Sequence, residues 1–585
     1  MMRFKGKVAH KFAESPLLQL RLPPWRSRLM GLLILGSFGV LIGRAFYLQV
    51  LNNDFLQEKG ESRYRRDIEI SASRGRIADR HGDVLAISTP MKSIWAVPPV
   101  ARLTPEQTSQ LASLLEMDAK HLSQKLNTDK PFVFLRRQIP PSVAEQVAAL
   151  KLPGIGQDKE YRRFYPTGEM TAHMVGFTGV DDKGLEGVEL AFHGQLLGQP
   201  GSRSVIRDRR GQIVEDVGSI KPPQDGKEVR LALDSKIQYL AYSHLKQAMS
   251  EHNAKAGGVV VIDVRTGEIL ALANTPTYNP NNREGLSGAQ LRNRALTDTF
   301  EPGSTLKPFT IALGLESGKV RFDTIINCAP GRLTIGNATI ADAHPHGALT
   351  VAEVIQKSSN VGAAKIAAML PSQKMWQMFD DVGFGQVPRL GFPGEVTGRV
   401  RPWKNWRPIE QATMAYGHGI SVSLIQLARA YSVFARDGDL VPLSLNRVDS
   451  SMPHGATVFS PQTARAVRVM LEMAVQPGGT APKAQIPGYR VAGKTGTAHK
   501  LEGGRYANKY VSSFVGFAPV SDPRLIVAVM IDEPRGGKHY GGEVAAPVFA
   551  AVMASSLRTL GVAPDAPLVV AQTPKTTPAT AKARL

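Results

Sequence analysis

An uncharged, largely apolar run at Leu29–Gly43, interrupted by Arg44 and resumed over Ala45–Val50, limits where the rest of this chain can fold. Leu29 to Val50 is 22 residues. As a helix rising about 1.5 Å per residue it reaches about 33 Å, enough to cross a bilayer. Arg44 falls near the outer end, where its long side chain can snorkel to the headgroups. Arg3, Lys5, Lys7, Lys11, Arg21, Arg26 and Arg28 precede the run, so the N-terminus is expected to stay in the cytoplasm. No A-x-A-like cleavage site follows closely, which favours a retained anchor over a removed signal peptide. The expected layout is a basic cytoplasmic tail at 1–28, a membrane span at 29–50, and everything beyond on the far side of the membrane.

Of the 585 residues, 43% are apolar and 21% charged, so most of the chain should fold, into two or three domains. The net charge of +21 would suit a polyanionic partner. No zinc-finger spacing, basic helix repeat or aromatic RNA-binding motif accompanies it, so no nucleic-acid partner is expected. An anionic membrane surface or wall polymer fits better. Cys328 is the sole cysteine, which excludes an internal disulfide and reads as a small buried apolar residue. No Cys/His cluster has metal-ligand spacing, so no metal site is expected.

Residues 60–225 read as a first region of short strands and Gly/Asp turns. Arg74–Ala86 is expected as strand, turn, strand. Pro105–Leu126 is expected to be helical, with Thr104 as N-cap, and so is Ser142–Leu150. No paired carboxylate or nucleophile–base spacing appears there, which suggests a spacer or docking module. Residues 227–562 form a second region. Glu228–Leu233 reads as a strand, Asp234 as the cap of a helix to about Asn253, and Gly257–Ala273 as a hairpin. Helical stretches then dominate to about Leu440. Strand-like segments return at Arg490–Ala492, Ser512–Phe517 and Arg524–Ile531, followed by a helix at Val544–Leu557. Strands first and last with helices between predict an α/β fold: a mainly antiparallel sheet with helices on both sides. The tail at 563–585, rich in Pro, Ala and Thr, is expected to be disordered.

Three motifs carry the chemistry: Ser304-Thr305-Leu306-Lys307, Ser358-Ser359-Asn360, and Lys494-Thr495-Gly496-Thr497. Phe300–Gly303 is a turn, so a helix can begin at Ser304, with Pro308 tolerated in its first turn. There the helix dipole favours a developing alkoxide, and Lys307 lies one turn on. Lysine can deprotonate a serine only when neutral, which requires burial or a nearby cation; Lys494 is the candidate cation. Ser358-Ser359-Asn360 pulls against helix propensity within Thr350–Leu370. Alone it reads as a solvated kink; with the other motifs it can bridge Lys307 and a leaving group. Lys494–Thr497 reads as an edge strand in which Gly496 leaves room for a substrate, the threonines offer hydroxyls to a carboxylate, and Lys494 offers charge. Spacing by itself is weak evidence. A second S-x-x-K at Ser243/Lys246 lies mid-helix, and a second S-x-N at Ser444/Asn446 lies in an irregular stretch.

On these residues the chain resembles a class B penicillin-binding protein, a serine peptidoglycan D,D-transpeptidase. Ser358 follows Ser304 by 54 residues and Lys494 follows it by 190, spacings that suit that family's transpeptidase domain. Arg74–Arg80, Tyr165–Gly168 with Ala172, His173 and Gly176, and Gly184–Glu189 resemble the family's N-terminal pedestal. Phe300–Thr305, Asn360, Lys494–Lys500 and Tyr540-Gly541-Gly542 are similar to the septal, cell-division subgroup of Gram-negative bacteria. The resemblance implies that Ser304, activated by Lys307, attacks the penultimate D-Ala carbonyl of a pentapeptide stem. It implies an oxyanion hole from the N–H groups of Ser304 and Thr497. Ser358 and Lys494 would pass a proton to the leaving D-Ala, Asn360 would bind the substrate backbone, and Thr495 and Thr497 its terminal carboxylate. A neighbouring stem's amine would then resolve the acyl-enzyme, whereas β-lactams would acylate Ser304 and stay. No cofactor is implied. Implied partners are the inner membrane, a septal glycan polymerase and other division proteins.

Rival readings are an elongation-type transpeptidase, a D,D-carboxypeptidase, a β-lactamase, and a non-catalytic division scaffold or β-lactam sensor. No Glu-x-x-Leu-Asn follows Ser358 to activate a deacylating water, and an anchor and pedestal are unneeded in a lactamase. Intact Ser304 and Lys307 argue against a scaffold. The absence of a cytoplasmic signalling domain argues against a sensor. The residues before the second region look unlike a glycosyltransferase, which argues against a bifunctional enzyme.

Overall fold

The computed structural model describes residues 23–52, 65–207, 213–216, 221–448 and 453–567. The first part of the basic tail and nearly all of the expected disordered tail lie outside the described residues. Pro24–Leu51 is the one helix among the described residues long and apolar enough to cross a membrane, and none of its apolar window packs against protein. It starts earlier than the expected Leu29 because Pro24 occupies the first helical position, where its missing N–H costs nothing.

The N-terminal region is built on two sheets. One joins Arg65–Ile70, Gly201–Arg207 and Ile213–Asp216. The other centres on the long strand Val84–Ala96, flanked by Val133–Ile139 and Ile155–Phe164. Thr104 caps Pro105–Leu114 reciprocally: its hydroxyl accepts the Gln107 N–H at 3.2 Å, and Gln107 Oε1 accepts the Thr104 N–H at 3.0 Å. The single helix expected to Leu126 is two. Glu116 takes a left-handed φ of 48°, and Asp118 starts a second helix at Ala119 by accepting the Lys120 N–H. Deeper in, the fully buried Glu189 carboxylate accepts from Arg74 Nε and Arg163 Nε, each at 2.6 Å. A buried charge of this kind is tolerable only because it is paired on both oxygens.

The C-terminal region is organised by five strands: β1 Ala256–Asp263, β2 Ile269–Thr275, β3 Ala492–Glu502, β4 Arg505–Ala518 and β5 Leu525–Asp532. Their order is β2-β1-β5-β4-β3, antiparallel throughout, with β3 at one edge. Period-two alternation sorts the side chains into two cores. Val260, Ile262, Ile526 and Ala528 pack with the helices Lys307–Glu316 and Leu424–Ala430. Val259, Val261, Val527 and Val529 pack with Ser235–Glu251 and Ala546–Thr559. Strands buried on both faces read as nearly continuous Val/Ile runs, each such side chain contributing about 1.5–3 kcal/mol. The expected α/β arrangement is therefore present.

Two expectations are corrected. The strand expected over Glu228–Leu233 is confined to Val229–Arg230, and it pairs in parallel with Ile77–Ala78 of the N-terminal region, not with the five-stranded sheet. Ile77, Leu85, Val229 and Leu231 share one core with the helices of the C-terminal region, so burial continues across residue 227. The stretch expected to be helical before Thr350 contains a hairpin, Arg332–Ile335 with Ala338–Ala341, enclosed by the antiparallel pair Ile325–Asn327 and Ala348–Thr350. Runs this short carry too little periodicity to be read from sequence.

Candidate active site

Ser304 sits in a tight 3-10 turn, Gly303–Leu306, that passes directly into the helix Lys307–Glu316, with Pro308 in that helix's first turn. The α-helix proper thus begins at Lys307, not Ser304, because the turn is drawn tight by its neighbours. Thr305 Oγ1 donates to Pro302 O at 2.7 Å, and the buried Tyr431 hydroxyl donates to Thr305 O at 2.8 Å. Gly303 has a φ of +57°, and a Cβ on Gly417 would lie 2.2 Å from its carbonyl oxygen. Two glycines face to face are what let the turn sit so low.

Lys307 Nζ lies 3.1 Å from Ser304 Oγ and 3.1 Å from Ser358 Oγ, and it also donates to the Ser358 carbonyl oxygen. Its side chain is fully buried. Burial holds its pKa well below the usual lysine range, Lys494 pushes it lower, and Asp342 partly opposes them. Lys494 is also fully buried, and burial brings it down to about 7. Its Nζ donates to Thr495 Oγ1 at 3.1 Å, and Thr495 Oγ1 reaches Thr480 Oγ1 at 3.2 Å.

Ser358 interrupts helical structure, as the sequence predicts. Val351–Gln356 stops, Ser358 takes a φ of +61°, and a new helix, Asn360–Ala368, begins with Ser359 as its N-cap. A left-handed serine costs of order 1 kcal/mol, and here it directs both Ser358 oxygens at Lys307. Asp342 maintains the turn. It accepts the N–H groups of Asn360 at 2.5 Å and Val361 at 2.9 Å, and the Ser359 hydroxyl at 2.8 Å. Asn360 Nδ2 donates to Ala341 O at 2.8 Å. Cys328 is buried behind this turn, 3.5 Å from Ser359 Oγ, as expected of a small apolar residue.

Lys494-Thr495-Gly496-Thr497 lies on the edge strand β3, paired with Val515, Phe514, Ser513 and Ser512 of β4. Gly496 is also where the strand meets the nucleophile's turn. A Cβ there would meet Ser513 Oγ at 2.3 Å and Pro302 O at 2.7 Å, so the glycine admits the Ser304 turn. Thr497 Oγ1 accepts the Gly541 N–H at 3.0 Å.

A cleft of about 800 Å³ gathers Ser304, Ser358, Asn360, Thr495 and Thr497 on its walls. Lys307, Lys494 and Gly496 stand behind them. The eight candidate residues, from segments far apart in sequence, thus converge on one place. The rival motifs do not. Ser243 and Lys246 are mid-helix, with Lys246 committed to Glu169 and Tyr242. Ser444 and Asn446 form lone bridges to Glu268 and Leu231. Sequence reasoning missed Asp342, Gly417, Thr480 and Tyr431, none of which has a local signal that points to the site.

Residues 257–554 match the family model of the penicillin-binding protein transpeptidase domain, and residues 69–231 match that of the penicillin-binding protein dimerisation domain. This chain is a class B penicillin-binding protein. It is 45% identical over 540 residues to the probable peptidoglycan D,D-transpeptidase PenA of Neisseria gonorrhoeae, covering 91% of this chain and 92% of that one. It is 42% identical over 550 residues to the peptidoglycan D,D-transpeptidase FtsI of Escherichia coli, covering 93% of each. Among solved structures, the transpeptidase domain of Burkholderia pseudomallei penicillin-binding protein 3 is 51% identical, with a TM-score of 0.54, covering 58% of this chain and 98% of that one. As a class B penicillin-binding protein, the chain is a serine-type D-Ala-D-Ala transpeptidase that acts on peptidoglycan and binds β-lactams.

Proposed function

We propose that this transpeptidase cross-links the septal wall during division, with Ser304 as nucleophile and Lys307 as its base. The observation that carries the chemistry is the Lys307 amine, buried and bounded by three oxygens. When neutral, its two N–H groups go to Ser358 O and Ser358 Oγ, and its lone pair faces the Ser304 hydroxyl. Ser304 Oγ attacks the penultimate D-Ala carbonyl while its proton moves to Lys307. The N–H groups of Ser304 and Thr497 receive the oxyanion, each such donor being worth about 3–4 kcal/mol. The proton passes by way of Ser358, with Lys494 assisting, to the nitrogen of the departing D-Ala. Thr495 and Thr497 hold the substrate carboxylate beside the charged Lys494, and Asn360 holds the peptide backbone. In the second half the acceptor amine adds to the acyl-ester carbonyl, loses a proton to Lys307, and Ser304 Oγ leaves and regains that proton. The peptide cross-link has then replaced the D-Ala bond with atoms conserved.

The helix Pro24–Leu51 supports an inner-membrane anchor, and the basic residues before it support a cytoplasmic N-terminus and a periplasmic catalytic region. The same reading places residues 60–225 as the pedestal and 227–562 as the catalytic domain, with a septal glycan polymerase and other division proteins as membrane partners. The resemblance of Phe300–Thr305 and Asn360 to the septal subgroup favours the septum. Depletion in the native host is expected to give filaments; round cells would point to elongation instead.

A further inference from the structure

Lys357 stands next to Ser358 and, unlike Lys307 and Lys494, is exposed. It is the C-terminal cap residue of the helix Val351–Gln356, a place where a lysine ordinarily turns to its own helix's last carbonyls. Here the ammonium leaves the helix. Nζ donates at 2.9 Å to the carbonyl oxygen of Gly478, 121 residues on, and this is the ammonium's one hydrogen bond among the described residues. Gly478 lies in a tight loop beyond the helix Pro461–Val475. It has a φ of +85°, and a Cβ on Gly479 would lie 2.3 Å from Ala474 O, so the chain folds back hard on the helix end. The next residue is Thr480, whose hydroxyl accepts from Thr495 Oγ1 at 3.2 Å; Thr495 Oγ1 in turn accepts from Lys494 Nζ at 3.1 Å. One line of contacts thus runs from Lys307 through Ser358 and Lys357 to Gly478, and on through Thr480 and Thr495 to Lys494. Both ends of the Lys357–Gly478 crossing line the active-site cleft. The two helices pack together, but the crossing lies past the last residue of each, where that packing ends.

We propose that Lys357 is a positioning residue for acylation: its ammonium, seated on the Gly478 carbonyl, sets the distance between the wall that carries Ser358 and Lys307 and the wall that carries Thr480, Thr495 and Lys494. The proposal rests on the transpeptidase reading above and adds a residue to it. A donor is held by its carboxylate on the second wall and attacked from the first. The register of the two walls therefore enters the acylation step more than the binding step. Lys357 touches no reacting atom and moves no proton. An exposed hydrogen bond adds little to stability, yet a shift of about 1 Å in a reacting geometry can cost about 10²-fold in rate.

The test uses the full-length protein in detergent and a chromogenic cephalosporin. Stopped-flow traces over a range of concentrations separate the dissociation constant of the first complex from the rate constant of acylation. Lys357→Met keeps the alkyl stem and removes the ammonium; the side chain is exposed, so the variant should fold normally. Its acylation rate constant should fall about tenfold, with the dissociation constant within about twofold of wild type. Lys357→Arg, which can still donate to the Gly478 carbonyl, should recover most of the loss. Thr480→Val cuts the same line at its other end, so the double variant should be no slower than the slower single one. Lys365→Met is the control: it removes another lysine that donates to a main-chain carbonyl, Asn327 O at 2.6 Å, and should acylate like wild type. Wild-type acylation by Lys357→Met, a loss confined to the dissociation constant, or no recovery in Lys357→Arg would overturn the proposal. So would an equal fall in Lys365→Met, or effects that multiply in the double variant. Failure of the cephalosporin to acylate the wild type would instead overturn the underlying reading of Ser304.

Discussion

Asp342 accepts the backbone N–H of Asn360 at 2.5 Å, so a carboxylate from a distant hairpin sets the turn that aims Ser358 at Lys307. It satisfies the free N–H groups at the start of the Asn360–Ala368 helix and faces the buried Lys307 with the opposite charge. Asp342→Ala should cost about 1–2 kcal/mol of stability, the value of a lost cap. It should slow acylation by roughly 10²-fold through misplacement of Ser358 and Lys307. Asp342→Asn separates charge from shape. Asp342 raises the Lys307 pKa, so removing its charge lowers that pKa further, and the acidic limb of the acylation profile should move to lower pH. A limb that stays in place or moves up would contradict the assignment; stopped-flow acylation across pH measures it.

Lys494 supplies the alkaline limit. Burial brings its pKa to about 7. It must be charged to attract a substrate carboxylate, whereas Lys307 must be neutral to act as base. Second-order acylation by benzylpenicillin should therefore rise with pH as Lys307 loses its proton and fall above about 7 as Lys494 loses its own. The two groups interact, so the limbs belong to the pair. Lys494→Arg keeps its charge at all accessible pH and should remove the alkaline limb, at a lower overall rate. A fall with the same midpoint in this variant would show that another group sets the limit.

Gly496 couples the edge strand to the nucleophile. A methyl there would lie 2.7 Å from Pro302 O, a backbone atom that cannot move without moving the Ser304 turn. Gly496→Ala should cost about 1–3 kcal/mol by overpacking and slow acylation by roughly 10²-fold. Thermal melting and acylation kinetics on the same preparation give both numbers. A variant with normal acylation would show that the turn tolerates displacement.

Much of the site was legible in the sequence because its parts are local. The Ser304 turn, the break at Ser358 and the edge strand at Lys494 each announce themselves through Gly, Pro or polar residues that resist regular structure. The caps at Thr104 and Asp234 were legible for the same reason. What was hidden is long-range. Nothing around Asp342 shows that its hairpin returns to cap Asn360, and nothing around Gly417 shows that it meets Gly303. The short strand Val229–Arg230 looks like the start of the catalytic region, yet its partner is Ile77–Ala78. Pairings across such distances depend on topology, which local propensity does not encode.

The central claim is that Ser304, and not the S-x-x-K serine at Ser243, forms the acyl-enzyme. Labelling the full-length protein with a fluorescent penicillin tests it most directly. Wild type and Ser243→Ala should both retain a stable label on denaturing gels, and Ser304→Ala should retain none. A label that persists on Ser304→Ala, or one that wild type rapidly releases by hydrolysis, would contradict the account.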